Sequence, residues 1–129
     1  DYGFVESNIA AFILRPAITG EVTVATDPNN GNVLTVPVSP IVGSNQRVIL
    51  LLNQLPTGDS ADANLRAYTF VAPSRDADTS AIAIPVFNVQ AGEYLIRLQV
   101  DGAESLLTVD SDPDSPTFNQ YIEPTVTIP

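Results

Sequence analysis

Val89-Gln90-Ala91-Gly92-Glu93-Tyr94-Leu95-Ile96-Arg97-Leu98-Gln99-Val100-Asp101-Gly102-Ala103 is the stretch that decides the fold. Tyr94, Ile96, Leu98 and Val100 alternate with Leu95, Arg97, Gln99 and Asp101. A period of two over eight residues predicts a β-strand with one buried face. Ala91-Gly92 opens the strand as a turn. Asp101-Gly102 closes it, because Asp-Gly accepts the positive φ angles of a two-residue hairpin turn.

Working outward, the chain repeats this grammar: short alternating apolar runs separated by Pro, Gly, Asn and Asp, with eleven Pro and seven Gly as punctuation. No helical periodicity longer than two turns follows residue 15. Strands are predicted at 18–26 (Val22 and Val24 inward), 32–38 (Leu34, Val36 and Val38 on one face), 46–53, 66–72 (Tyr68 and Phe70 paired), 80–87 (Ile82, Ile84 and Val86 inward), 104–109 and 124–128. Pro37 lies within the second strand and demotes it toward a sheet edge or a bulge, since proline has no N–H for the ladder. Residues 27–31, Asp-Pro-Asn-Asn-Gly, form a turn, and 40–45 and 55–64 form loops. The run Val48-Ile49-Leu50-Leu51-Leu52 is apolar on both faces, so either both are covered or one meets a partner. Residues 1–16 are read as a lead-in or linker from a preceding domain, with a helical turn or strand at 9–14. Residues 17–129 are read as one sandwich domain.

About seven to eight strands with turn signals between them predict an all-β, immunoglobulin-like antiparallel β-sandwich. Its expected core is Leu34, Val36, Leu50, Leu52, Phe70, Ile82, Ile84, Tyr94, Ile96, Leu98 and Val100. Tyr94, near the start of its strand, suits a tyrosine corner, in which the phenol ties the incoming loop to the strand.

Composition bounds the chemistry. The 129 residues contain no Cys and no His. That excludes disulfides, thiolate metal sites, a Ser-His-Asp triad and an ordinary zinc site. Five basic residues, all Arg, stand against fifteen acidic ones, for a net charge of −10. Such a surface repels phosphate backbones and anionic bilayers, so neither nucleic-acid binding nor membrane insertion is expected. No apolar run approaches the ~18 residues of a spanning helix. The chain starts at Asp1 and lacks Met, and is read as a fragment or processed product.

One cluster invites a ligand reading. Asp110, Asp112 and Asp114 place three carboxylates at alternate positions, which suits a hard cation such as calcium. The spacing departs from an EF-hand: Ser115 holds the sixth position, where Gly is needed, and Tyr121 the twelfth, where Glu belongs. The plainer reading is a solvated acidic connection over 110–123 that charge and Pro keep off the sheet edge. Asp27-Pro28-Asn29-Asn30-Gly31 is likewise read as a turn. Arg97 is read as a cross-strand charge partner and Tyr94 as structural. No residue receives a catalytic or cofactor-binding role, and no cofactor is expected.

Gln46-Arg47-Val48-Ile49-Leu50-Leu51-Leu52-Asn53, Tyr68-Thr69-Phe70-Val71-Ala72-Pro73, the opening stretch continued through Val100-Asp101-Gly102-Ala103-Glu104-Ser105, and the closing Pro124-Thr125-Val126-Thr127-Ile128 occur in order over 17–129. Together they resemble the C-terminal immunoglobulin-like region of tail-terminator (cap) proteins of bacterial contractile injection systems, the phage-tail-like particles. The resemblance implies a non-enzymatic structural module. It further implies contacts with neighbouring copies or other particle components, oligomerisation within the assembly, and a place in the bacterial cytoplasm within the particle. It carries over no catalytic residue. The competing expectation is a cell-surface or secreted immunoglobulin-like adhesion module stabilised by calcium.

Overall fold

A computed structural model describes residues 15–27, 29, 31–56 and 65–129. The expected lead-in over 1–14, the turn positions Pro28 and Asn30, and most of the loop at 55–64 lie outside the described residues. Among the described residues there is no helix, and thus none long and apolar enough to cross a membrane.

The opening stretch forms β7 (Gly92–Val100), and the chain on either side is laid out around it. Its two-residue turn has positive φ at Asp101 (49°) and Gly102 (91°), as the Asp-Gly pair predicted. On one edge β7 pairs antiparallel with β4 (Val48–Gln54), which pairs in turn with β5 (Ala67–Val71). On the other edge it pairs with β8 (Ala103–Glu104) and β11 (Thr125–Ile128). The second sheet is centred on β3 (Gly31–Val42), with β6 (Thr79–Val86) on one side and β1 (Ala17–Ile18) and β2 (Thr23–Asp27) on the other. A separate ribbon pairs β9 (Thr108–Val109) with β10 (Tyr121–Glu123).

The two main sheets pack their alternating apolar faces together as an antiparallel β-sandwich. Leu34, Val36, Val38, Ile82, Ile84 and Val86 come from one sheet; Val48, Leu50, Leu52, Tyr94, Ile96, Leu98, Val126 and Ile128 come from the other. Each buried Val, Leu or Ile contributes about 1.5–3 kcal/mol, so such a core holds the domain without a disulfide.

Several sequence expectations need correction. The strand expected at 32–38 is central, not an edge; the other alternative for Pro37, a bulge, fits the register shift between Pro37 and Val42, and the strand runs on through Val42, which together with Val48 joins the core. Pro37 is tolerated because of what lies beside it. The Pro37 carbonyl accepts the Thr19 N–H (3.1 Å), so the edge where its own N–H is missing faces the seam between β1 and β2. The strand expected over 18–26 is accordingly split in two, with Val22 turned into the core at the break. Phe70 is half-buried at the rim, because β5 is an edge strand.

The strand expected at 104–109 also ends early. β8 holds two residues, and then the Ser105 hydroxyl accepts the Leu98 N–H (2.9 Å) while the Ser105 N–H donates to the Leu98 carbonyl (2.8 Å). A side chain thus closes the ladder where a backbone carbonyl would continue it. The chain leaves, makes the β9–β10 ribbon, and returns where the Pro124 carbonyl accepts the Ile96 N–H (3.0 Å). β8 and β11 are therefore collinear halves of one edge strand, interrupted by an excursion over 106–123.

Candidate functional site

The three candidate carboxylates do not converge. The Asp110 carboxylate accepts the Asp112 N–H (3.0 Å) on Oδ1 and the Thr117 hydroxyl (2.6 Å) on Oδ2. Asp112 Oδ1 in turn accepts the Asp114 N–H (3.0 Å). These are successive turns in which short acidic side chains tie the backbone two residues on. Hydrogen bonds from Ser115, Thr117 and the Asp112 amide hold the Asp110 carboxyl below its ordinary value. The main chain of Asp110 is clamped as well: its N–H reaches the Gln120 carbonyl (2.8 Å) and its carbonyl takes the Asn119 N–H (2.9 Å). No group of three acidic side chains placed to hold a metal occurs among the described residues. Asp110 organises the excursion loop with the lone pairs a cation would require.

Tyr94 ties the incoming loop. Its buried hydroxyl donates to the Gln90 carbonyl (2.6 Å), while the Tyr68 hydroxyl accepts the Gln90 N–H (3.1 Å). The rings of Tyr68 and Tyr94 meet edge to face at 5.8 Å, and Tyr68 stacks on Phe70 at 6.3 Å. Burial, followed by the neighbouring Tyr68, pushes the Tyr94 phenol up to about 12. Pairing Tyr68 with Phe70 is legible in the sequence; its grip on Gln90, from a different strand, is not.

Arg97 pairs with Glu104 (2.7 Å) and also donates to Asn53 Oδ1 (2.7 Å), bridging three strands on the outer face of the β7 sheet. Arg75 donates to the carbonyls of Gly43 and Gln46 and so closes the 43–46 turn, a role no sequence pattern announces. Both arginines serve structure rather than a ligand.

What remains is surface. The outer face of the β7 sheet sets Val71, 56% exposed, directly across from half-buried Ile49, with Leu51 opposite Thr69. The two-faced apolar run at 48–52 therefore has its inner face in the core and its outer face only partly covered. At the end of the sandwich, a cavity of about 160 Å³ lies among Pro16, Pro40, Ile41, Val100 and Asp101. A second of about 380 Å³ lies at the root of the excursion.

Fold and surface together define an all-β antiparallel sandwich with an apolar outer sheet face and an excursion from one edge strand. A family model described as a domain of unknown function, DUF8756, matches residues 16–127, and the chain belongs to that family. No curated protein and no solved structure matches it.

Proposed function

We propose that this chain is a non-enzymatic interaction module of the immunoglobulin-like kind, appended to a tail-terminator (cap) protein of a bacterial contractile particle. The observation that carries the interaction role is the Ile49–Leu51–Val71 row on the outer face of the β7 sheet. An apolar row on a sheet face, bordered by the Arg97–Glu104–Asn53 network, suits contact with neighbouring subunits. The connectivity supports the immunoglobulin-like reading: β3 to β4 and β5 to β6 cross between sheets, and β7 returns by a hairpin to an edge strand at its side. The placement on a cap protein rests on the resemblance of the quoted stretches.

The test introduces Thr69→Lys and Val71→Lys, both at exposed positions, into the protein that carries this chain. The expected result is a folded domain whose host no longer co-sediments with assembled particles. Unchanged incorporation, or export of the host to the cell surface, would overturn the reading.

A further inference from the structure

The β9–β10 ribbon belongs to neither main sheet. Ile122 is half-buried, and β10 packs against β7. Val109 and Tyr121 stand directly opposite each other, so their side chains meet on one side, and the register shifts between Tyr121 and Glu123. Val109 and Tyr121 are 43% and 54% exposed; Leu106, at the root of the excursion, is 69% exposed. An isolated two-stranded ribbon is marginal in water, and the Asp110 carboxylate is spent on holding the loop of the excursion. About half of the surface of this aromatic–β-branched pair is left open by the described residues.

The excursion is acidic. Exposed Asp112 and Asp114 lie in the loop that connects β9 to β10, and exposed Glu123 ends β10; at the root stand Arg15 and Arg97, the latter paired with Glu104. The root carries the cavity of about 380 Å³, lined by Leu106, Thr108, Glu123 and Pro124 together with Arg15–Ile18.

We infer that the ribbon docks an apolar segment of a protein partner flanked by Lys or Arg. The partner's apolar side chains cover Val109 and Tyr121 and enter the cavity beside Leu106. Its cationic groups meet Asp112, Asp114 and Glu123. Charge selects this occupant. A second copy of the chain would bring the same carboxylates against themselves across a two-fold contact, and an anionic bilayer would meet the same repulsion. The inference goes beyond the proposed function, because it rests on residues 105–123 and holds whatever the outer sheet face contacts.

The experiment measures binding of a synthetic peptide of alternating leucine and lysine to the chain by fluorescence anisotropy, with a leucine–glutamate peptide as control. Three variants are compared: V109S/Y121S, which leaves the charge unchanged; Leu106→Ser, the second apolar probe; and D112N/D114N. Unfolding midpoints verify that each is folded. The lysine peptide is expected to bind, with affinity lowered about tenfold by V109S/Y121S and several-fold by D112N/D114N, and with a dependence on salt. Val71→Lys on the outer sheet face leaves this binding unchanged. Four outcomes would overturn the inference: no binding; binding indifferent to V109S/Y121S and Leu106→Ser, which is charge attraction alone; dimerisation of the chain abolished by the same variants; or adsorption to phosphatidylserine vesicles through Tyr121.

Discussion

Gln90 is held on both sides by phenols. Tyr68 takes its N–H and Tyr94 gives a proton to its carbonyl, so the backbone entering β7 is fixed before the strand begins. Tyr94→Phe keeps the ring, its burial and its edge contact with Tyr68 and loses only the hydrogen bond. The expected cost is about 1 kcal/mol at neutral pH, read from urea midpoints. The pH dependence follows from the phenol's shift. An unfolded tyrosine deprotonates near 10, whereas Tyr94 in the folded chain keeps its proton to about 12. The stabilisation from keeping it neutral is complete below 10 and lost as pH rises from 10 to 12, up to about 3 kcal/mol. Tyr94→Phe has no such alkaline limb from this position. The gap between wild type and variant therefore closes and then reverses across that window, leaving Tyr94→Phe the more stable form at its alkaline end, and a gap constant with pH contradicts the assignment.

At the scale of elements, the alternation along β6 and β7 is legible in the sequence because each of these strands buries one face against a continuous partner. Ile82, Ile84 and Val86, and Tyr94, Ile96, Leu98 and Val100, read inward and are inward. The edge strands β5 and β6 are legible in the same way; the breaks between β1 and β2 and between β8 and β11 are not, because they depend on groups distant in the sequence. Ser105 ends β8 with a hydroxyl aimed at a residue in the preceding strand, and nothing in Glu104-Ser105-Leu106 marks this. Ser105→Ala leaves the buried Leu98 N–H without an acceptor, a loss of about 1–3 kcal/mol. Ser105→Thr, which keeps the hydroxyl, should recover part of it; equal denaturant midpoints for wild type and Ser105→Ala would refute the role. The acidic cluster was visible as a cluster, but its partners Thr117 and the loop amides show only once the loop closes. Asp110 has a folded-state value depressed below its ordinary 3.8. Its contribution is present above that value and disappears as pH falls through the lower folded value. The protection factors of the Asp112 and Asn119 amides, taken relative to intrinsic exchange at each pH, should fall below about pH 3.8 while the amides of β4 and β7 stay protected. Asp110→Asn should exchange fast at both neutral and acid pH at these two amides, and a flat acid profile in wild type would remove the carboxylate from this role.

At the scale of the molecule, the apolar pair Val109–Tyr121 had no sequence signature, since its members are brought together only by the excursion folding back on itself. The register states how dispensable that excursion is to the sandwich. Ser105 meets Leu98, Pro124 meets Ile96, and only the position opposite Arg97 lies between them. Replacing residues 106–123 by a single threonine joins β8 to β11 as one continuous antiparallel strand along β7, with β-branched chemistry suited to an edge. The Ser105 hydroxyl is then released from its capping task as the backbone ladder continues past it. The cost is the contact of β10 with β7. Returning one aliphatic side chain's worth of apolar surface to water lowers stability by about 2 kcal/mol. The shortened chain is thus expected to unfold cooperatively, with its β-sheet circular dichroism intact and its midpoint modestly lowered. It is also expected to lose all binding of the leucine–lysine peptide, while the outer-face contacts through Ile49, Leu51 and Val71 persist. A shortened chain that fails to fold would show that the excursion is part of the core. One that folds and still binds the peptide would move the docking surface elsewhere on the sandwich.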